Sequence, residues 1–241
     1  MLSDAGLACL LDRTVTLCLD DECSALCQSS GLSCVRYSAF TLGAARDAAD
    51  VTYRVITFVK WRILGDVIAH VKAVMFFDDD VLFLSNPFDG FDATSSSPYD
   101  LRHQAESGAG CAAQPNGGLL YVRNTGPGVA LLNYMIGMQA VIEGSGEKLD
   151  QDYVADAVAA ANATRCALPK RSFAGHCPRA HQGYSPVGKL VSYHAHCCAG
   201  VDAKMALMTR VLDAQRRTPT ARMRNVDRLP LSPGLSTCGE H

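Results

Sequence analysis

Three consecutive carboxylates interrupt an apolar run, and their types and spacing are the clearest indication of chemistry in this chain. Residues 74–84 have the sequence VMFFDDDVLFL. Because burying an unpaired carboxylate costs on the order of several kcal/mol, these acids need either a cation or an exposed cleft. Asp78 and Asp80 can point to one side at a strand end and offer hard oxygen ligands to Mg²⁺ or Mn²⁺. The segment therefore predicts a divalent metal site with Asp79 facing away, and a solvated acidic turn is the alternative.

A second group of metal-capable side chains lies in the segment YHAHCCAGVDAK at residues 193–204. His194 is a potential third ligand for the ion, and a structural histidine is the alternative. Gly200 stands at a predicted helix start, and Lys204 lies one turn into that helix. Free N–H groups and a cation at a helix N-terminus suit a diphosphate, so this segment predicts an anion site beside the metal site.

Three weaker signals lie between and before these segments. Asn116-Gly117-Gly118 precedes a predicted strand, where missing side chains let the backbone approach a ligand, although an ordinary turn has the same composition. Asp150-Gln151-Asp152 begins a predicted helix, so one of its acids is expected to be an N-cap. Lys60 lies on a predicted helix, where it either contacts phosphate or is solvated.

Strand and helix patterns alternate along the chain. Trp61, Leu64, Ile68 and Val71 recur at helical spacing and predict an amphipathic helix over residues 54–71. The other predicted helices cover residues 22–28, 127–143, 151–161 and 201–215. The predicted strands cover residues 14–19, 33–37, 74–84, 99–104, 119–123 and 190–194, with loops from 162 to 188. This alternation predicts an α/β fold whose mostly parallel sheet is covered by helices on both faces.

Composition sets the limits of the functional classes. The 241 residues, 48% of them apolar, suffice for one domain over residues 1–215 with an Arg- and Pro-containing tail at 216–241. The 22 basic and 24 acidic residues give no general attraction to nucleic acid. No window has the roughly 18 apolar residues of a membrane span, and the N-terminus lacks a signal-peptide pattern. Eleven cysteines and the sequon Asn162-Ala163-Thr164 are typical of an oxidising compartment.

Together these segments resemble the nucleotide-diphospho-sugar transferase family of plant and algal glycosyltransferases, glycosyltransferase family 77, within the GT-A fold class. The resemblance covers about residues 12–213. Its motifs are Lys60-Trp61, Phe77-Asp78-Asp79-Asp80-Val81 with Asn86-Pro87-Phe88, Asn116-Gly117-Gly118 with Tyr121-Val122-Arg123, Gln151-Asp152, and His194-Ala195-His196-Cys197-Cys198-Ala199-Gly200 with Lys204. The chain departs from the family pattern at His196, where the family has Asn, and the opening strand of a GT-A domain is expected to be absent.

The resemblance implies a GT-A-like, Rossmann-type mixed sheet flanked by helices, and a metal-dependent transfer from a nucleotide sugar, expected to be a UDP-sugar. Mn²⁺ or Mg²⁺ would be held by Asp78, Asp80 and His194. The donor would be contacted by Lys60, Asp79, Asn116, Gly117, Gly118, Gly200 and Lys204. Gln151 and Asp152 would be the catalytic pair, with Asp152 orienting the sugar or acceptor. Family members retain anomeric configuration, use polysaccharide or glycoprotein acceptors and work in the Golgi lumen, so we expect the same here.

Two other functions remain open on the sequence alone. One is an inactive relative that serves as a partner subunit or lectin-like binder. The other is a structural zinc protein, whose ligands would come from His176, Cys177, His181, His194, His196, Cys197 and Cys198. In a secretory protein, Cys197 or Cys198 could instead form a disulfide with Cys111, Cys166 or Cys177.

Overall fold

The computed structural model describes residues 8–37, 51–89, 91, 97–144, 148–175, 190–196, 198 and 200–217. The α-helices are α1 (Ala8–Leu11), α2 (Asp21–Ser29), α3 (Val51–Ile68), α4 (Gly126–Gly137), α5 (Gln139–Gly144), α6 (Val154–Ala160) and α7 (Val201–Arg217). The strands are β1 (Thr16–Cys18), β2 (Cys34–Arg36), β3 (Ala73–Phe77), β4 (Val81–Phe83), β5 (Leu101–Ser107), β6 (Gln114–Arg123), β7 (Arg165–Ala167), β8 (Phe173–Gly175) and β9 (Ser192–His194). Short 3-10 turns cover Pro87–Asp89, Gly110–Ala112 and Asp150–Tyr153.

The strand β6 is the centre of the largest sheet, whose order is β3-β6-β5-β7. Its residues 115–122 are all buried, as expected of a strand covered on both faces. A second sheet has the order β4-β9-β8, and β1 pairs with β2 in a third. The acids at 78–80 connect β3 of the first sheet to β4 of the second, so the predicted metal site lies where two sheets meet.

The α/β architecture with helices on the sheets is confirmed, but the prediction of mostly parallel pairing is wrong for the described strands. Three pairings are parallel, namely β1–β2, β5–β7 and β8–β9, and three are antiparallel, namely β3–β6, β5–β6 and β4–β9. The turn between β5 and β6 explains part of the difference. Parallel neighbours need a crossover of about a dozen residues, and residues 108–113 are too few to make one.

Helix α3 covers the largest sheet through one apolar face. Trp61, Leu64 and Ile68 are at most 3% exposed and pack in one core cluster with Leu131 and Leu132 of α4. Val71, expected on the same face, is exposed because the helix ends at Ile68. None of the helices in the described ranges is long and apolar enough to cross a membrane.

Disulfides join described cysteines in three places: Cys18 to Cys23, Cys27 to Cys34, and Cys111 to Cys166. Cys198 is also disulfide-bonded. Because Cys111 and Cys166 bond to each other, the expectation that either one pairs with Cys197 or Cys198 is wrong. His176, Cys177, His181 and Cys197 of the zinc hypothesis lie outside the described residues, as does the tail from residue 218.

Candidate functional site

The acidic turn between β3 and β4 holds two of the predicted metal ligands. The Asp78 N–H donates to the carbonyl of Gly118 at 2.8 Å, which continues the β3–β6 ladder, and the Val81 N–H donates to the Asp78 carbonyl at 3.2 Å. This tight turn leaves Asp79 exposed, while Asp80 is 4% exposed. Asp79 is thus not among the three side chains whose ligand atoms cluster here, which are Asp78, Asp80 and His194.

His194 reaches the acids through strand pairing. Strand β9 pairs antiparallel with β4, with His194 opposite Val81, and the Ala195 N–H donates to the Asp80 carbonyl at 3.1 Å. The Nε2 atom of His194 lies 2.9 Å from Oδ1 of Asp80. One ligand atom each from Asp78, Asp80 and His194 lies within 4.8 Å of the other two. The structure therefore brings His194 to two acids that precede it by more than a hundred residues.

Gln104 of β5 fixes the orientation of the His194 ring. Its Nε2 donates to the Ala174 carbonyl at 2.9 Å, and this contact identifies the other amide atom, Oε1, as the one facing His194. That oxygen lies 2.6 Å from Nδ1 of His194, so Nδ1 carries the proton and donates it. Nε2 is therefore the ring nitrogen that faces the acids and is available to a metal ion. No sequence motif marks Gln104, and its role is visible only once β5 and β9 are placed.

The donor set fits a hard divalent cation. Adjacent ligands of an octahedral ion with bonds of about 2.1 Å are separated by about 3 Å, close to the 2.9 Å between His194 Nε2 and Asp80 Oδ1. This Asp80 oxygen is buried and accepts no aligned hydrogen bond from the described residues. The two facing acceptor atoms need a positive charge between them, either a proton or a metal ion.

Gly118 leaves room for this arrangement. A Cβ at this position would come within 3.0 Å of both the His194 ring and the Asp78 carboxylate. Residue 118 must therefore be glycine for β6 to pack this closely against two candidate ligands.

The protein environment shifts the pKa values of Asp78 and Asp80 in opposite directions. Burial raises the pKa of Asp78, although nearby Lys60 and His194 partly oppose this effect. Burial also tends to raise the pKa of Asp80, but the contacts with His194 and Lys204 outweigh this effect and hold that pKa well below its usual range. Asp80 is therefore ionised, and a bound cation would stabilise the ionised form of Asp78 as well.

Lys204 supplies a positive charge beside the cluster. It lies in the first turn of α7, after Gly200, whose φ of +80° is in the left-handed region that suits glycine. Its Nζ is 2.6 Å from Oδ2 of Asp80, and the side chain is 32% exposed. Burial lowers the pKa of Lys204, but the contact with Asp80 raises it more, so the ammonium group stays charged. The structure thus places the lysine of the predicted anion site beside the three predicted metal ligands.

Lys60 and Gln151 hold the peptide of Gly117 from two sides. Nζ of Lys60 donates to the Gly117 carbonyl at 2.9 Å, and the Gly117 N–H donates to Oε1 of Gln151 at 3.1 Å. Lys60 is buried and forms an ion pair with Asp150 at 2.9 Å, and Nε1 of Trp61 donates to the same carboxylate oxygen at 2.7 Å. The alternative of a solvated Lys60 is therefore excluded, and its ammonium group binds Asp150 and the Gly117 carbonyl.

Asn116 and His196 lie on the other side of the glycine pair. Oδ1 of Asn116 accepts from the Gly118 N–H at 2.8 Å, and its Nδ2 donates to Glu106 at 2.6 Å. The His196 ring lies against the His194 ring, with centroids 4.7 Å apart, and its Nε2 is 3.8 Å from Glu106. The histidine that departs from the family pattern thus packs on a candidate ligand, and Glu106 is a neighbour that no sequence pattern indicated.

Asp152 is not the N-cap that the sequence offered as one alternative, because Leu149 is the N-cap and Asp152 lies three residues later. Its Oδ2 accepts from the Leu149 N–H at 2.9 Å at the start of the turn Asp150–Tyr153. The side chain is exposed. Asp150 is buried in the ion pair with Lys60, so the two acids of this segment have different roles.

Comparison with known proteins identifies the fold and the family of this chain. The chain is similar to the crystal structure of a glycosyltransferase involved in the glycosylation of the major capsid of PBCV-1, with a TM-score of 0.52 and 12% identity over 81% of this chain and 97% of that chain. At this identity the likeness supports the fold alone. No curated protein matches the chain. The family model for nucleotide-diphospho-sugar transferases matches residues 9–208, which include every candidate site residue, and the chain therefore belongs to this family of glycosyltransferases.

Proposed function

We propose that the protein is a metal-dependent glycosyltransferase that moves a sugar from a UDP-sugar to a polysaccharide or glycoprotein acceptor in the secretory pathway. The observation that carries this proposal is the convergence of Asp78, Asp80 and His194 beside the Lys204 ammonium group. Two carboxylates and an imidazole favour Mn²⁺ or Mg²⁺. The family match supplies the donor class, and the disulfides agree with an oxidising compartment.

The chain's own residues prepare the site for a leaving diphosphate. When bound, a divalent cation here neutralises the negative charge that develops on the diphosphate. Lys204 adds a charged ammonium group that is partly exposed and able to meet an anion. Gln104 holds the His194 ring, and Gly118 keeps the space beside Asp78 open. These residues act mainly by being fixed in place before the donor binds, which lowers the cost of reorganisation during transfer.

Retention of anomeric configuration and the role of Asp152 complete the proposal. Family resemblance favours attack by the acceptor hydroxyl from the face that the diphosphate leaves. Asp152 is exposed and keeps one carboxylate oxygen outside its bond to Leu149, so it can orient the sugar or the acceptor. Gly200 would contact the donor through its backbone and Asp79 through its exposed side chain, whereas Lys60 would act indirectly by holding the Gly117 carbonyl.

Calorimetric titration with Mn²⁺ and UDP tests the metal site directly. The unmodified chain should bind Mn²⁺, and UDP should bind more tightly in its presence. Asp78→Asn and Asp80→Asn should each weaken Mn²⁺ binding by at least about tenfold, because each removes a charged ligand. Asp66→Asn, which makes the same charge change at an exposed position of α3, is the matched control and should bind normally.

Two results would contradict the proposal. Unchanged Mn²⁺ binding in both ligand variants would exclude the acidic pair as the metal site. Absence of UDP binding at millimolar nucleotide with Mn²⁺ present would favour the inactive relative. If binding is seen, a screen of several nucleotide sugars with Mn²⁺, measuring hydrolysis and transfer, identifies the donor.

A further inference from the structure

We propose that Asn162 carries an asparagine-linked glycan when this chain is made in the secretory pathway. Asn162-Ala163-Thr164 is the only Asn-X-Ser/Thr sequence among the 241 residues, and X is not proline. The inference rests on the proposed location but is independent of the metal site and of sugar transfer by this protein. Its support comes from the conformation, exposure and position of this turn.

Asn162 ends helix α6 in a conformation that presents its side chain to solvent. The Ala163 N–H donates to the Val158 carbonyl at 2.9 Å, and the Asn162 N–H donates to the Ala159 carbonyl at 3.2 Å. These two bonds define a Schellman motif with Asn162 at the left-handed position, where its φ is +49°. Asparagine is the residue besides glycine that adopts this conformation most readily. The Asn162 side chain is exposed, while Ala161 and Ala163 pack against the core.

Thr164 shows when the modification has to occur. In the folded chain its hydroxyl group donates to the Pro98 carbonyl at 2.6 Å and is 2.8 Å from Oδ2 of Asp100. Its N–H also donates to Asp100, at 2.8 Å. The hydroxyl group of the sequon is thus engaged with the protein once the turn has formed. We therefore expect glycosylation before this region folds, and not on the finished protein.

A glycan at Asn162 leaves the metal site free. Strand β3 begins at Ala73, which pairs with Arg123, and the Arg123 N–H donates to Asp100, the partner of Thr164. Asp78 follows the opposite end of the same strand. Five residues of strand span about 17 Å, so the sequon and the acidic turn lie at opposite ends of the sheet. The folded structure is consequently compatible with a bulky group at Asn162.

The chemistry needs a lipid-diphosphate-linked oligosaccharide as the co-substrate. The side-chain nitrogen of Asn162 forms a bond to the anomeric carbon, and the bond from that carbon to the phosphate oxygen breaks. The lipid diphosphate leaves with the bonding electrons, and the amide nitrogen loses one proton. The product is a neutral, hydrophilic group on an exposed turn.

The test is expression of the full chain behind a secretory signal in a eukaryotic host, followed by peptide-N-glycosidase treatment and mass spectrometry. We expect a mobility shift that the enzyme removes, with Asn162 converted to aspartate in the released peptide. Asn162→Gly removes the acceptor but suits the left-handed backbone, so it should fold and lose the shift. Thr164→Ser keeps both the sequon and the hydroxyl group and should retain the glycan.

Unmodified Asn162 in correctly folded, secreted chain would overturn the proposal, as would a shift that persists in Asn162→Gly. Modification of the purified, folded chain by added oligosaccharyltransferase and lipid-linked donor would overturn the predicted timing. The Mn²⁺ and UDP titration described above is the independent measure of the proposed enzymatic function. An unglycosylated chain that binds Mn²⁺ and UDP would contradict only the glycosylation proposal. A glycosylated chain that binds neither would contradict only the proposed enzymatic function.

Discussion

At the scale of single residues, the site depends on side chains that orient others. His194 could in principle present either ring nitrogen to the acids, and Gln104 decides between them. The Gln104 amide is itself oriented by the Ala174 carbonyl, so a chain of two hydrogen bonds, 2.9 Å and 2.6 Å long, ends at the candidate ligand. Such supporting bonds raise the basicity of a ligand and hold it ready for the ion.

We predict that Gln104→Leu weakens Mn²⁺ binding by about 10- to 100-fold, the usual effect of removing the partner of a ligating histidine. Gln104→Glu keeps an acceptor oxygen for Nδ1 of His194 but loses the donor to the Ala174 carbonyl, so a smaller loss of affinity is expected than in Gln104→Leu. Titration calorimetry with Mn²⁺ alone measures the change, and ¹⁵N NMR of the imidazole reports which ring nitrogen carries the proton. A folded Gln104→Leu chain with unchanged affinity would show that Gln104 does not position the ring.

Gly118 gives a second prediction at this scale. In Gly118→Ala, the added Cβ collides with the His194 ring and the Asp78 carboxylate, so both must move apart. We expect Mn²⁺ affinity to fall by at least about tenfold, with a loss of about 1–3 kcal/mol in unfolding free energy from overpacking. Gly137→Ala is the matched control, because a Cβ there meets nothing within 4 Å. Equal Mn²⁺ affinity in the two variants would contradict the proposed close packing.

At the scale of elements, local patterns predicted the long helices α3 and α7 well, whereas the single strand expected over residues 74–84 is two strands separated by the acidic turn. Helical spacing placed Trp61, Leu64 and Ile68 on the buried face of α3. Strands β7 and β8 were missed because each is a three-residue segment inside a stretch rich in Gly and Pro, whereas the equally short β1, β4 and β9 lie within longer apolar runs. Their neighbours in the sheets, and not their own sequence, make them strands.

Long-range pairing is the part of the site that the sequence did not reveal. A lysine on a helix, such as Lys60, is commonly solvated. Lys60 is nevertheless buried against Asp150, which lies ninety positions later in the chain. The pairing of Gln104 with His194 spans ninety residues as well. No local pattern encodes such contacts, because they follow from the order in which the strands are arranged. The ligand types were predictable from chemistry, whereas their supporting partners required the topology.

Strand β5 also contains a buried histidine that should make stability depend on pH. Burial lowers the pKa of His103 to about 4, and Arg165 and Arg102 act in the same direction. The unfolded chain, with a histidine pKa near 6.5, binds more protons below that pH, so folding is weakened as the pH falls from about 6.5 towards 4. Between pH 7 and pH 5 we expect a loss of about 2 kcal/mol in unfolding free energy from this group.

Denaturant titrations of the unmodified chain and of His103→Leu, at both pH values, isolate this contribution. The variant lacks the titrating group at the same buried position, so its loss of stability between pH 7 and pH 5 should be smaller by about 2 kcal/mol. The same loss in both chains would mean that His103 gains a proton as easily when folded as when unfolded.

At the scale of the whole molecule, disulfide bonds close loops of very different lengths. The Cys111–Cys166 bond connects the turn before β6 to β7, and the two cysteines are 55 residues apart. The Cys18–Cys23 bond closes a stretch of only 5 residues beside β1. A cross-link restricts the unfolded chain more when it closes a longer loop. The first bond should therefore contribute more to the stability of the domain that carries the site.

We predict that replacing Cys111 and Cys166 together by alanine lowers the unfolding free energy by about 4 kcal/mol, against about 2 kcal/mol for the pair Cys18 and Cys23. Equilibrium denaturation of the two double variants, measured without reductant, gives both values. Because Cys111–Cys166 lies next to β6, its loss should also weaken Mn²⁺ binding under conditions that begin to unfold the domain, while binding under native conditions stays normal. Equal losses in the two variants, or a larger loss for the short loop, would show that native packing around the cysteines outweighs the entropy of the unfolded chain.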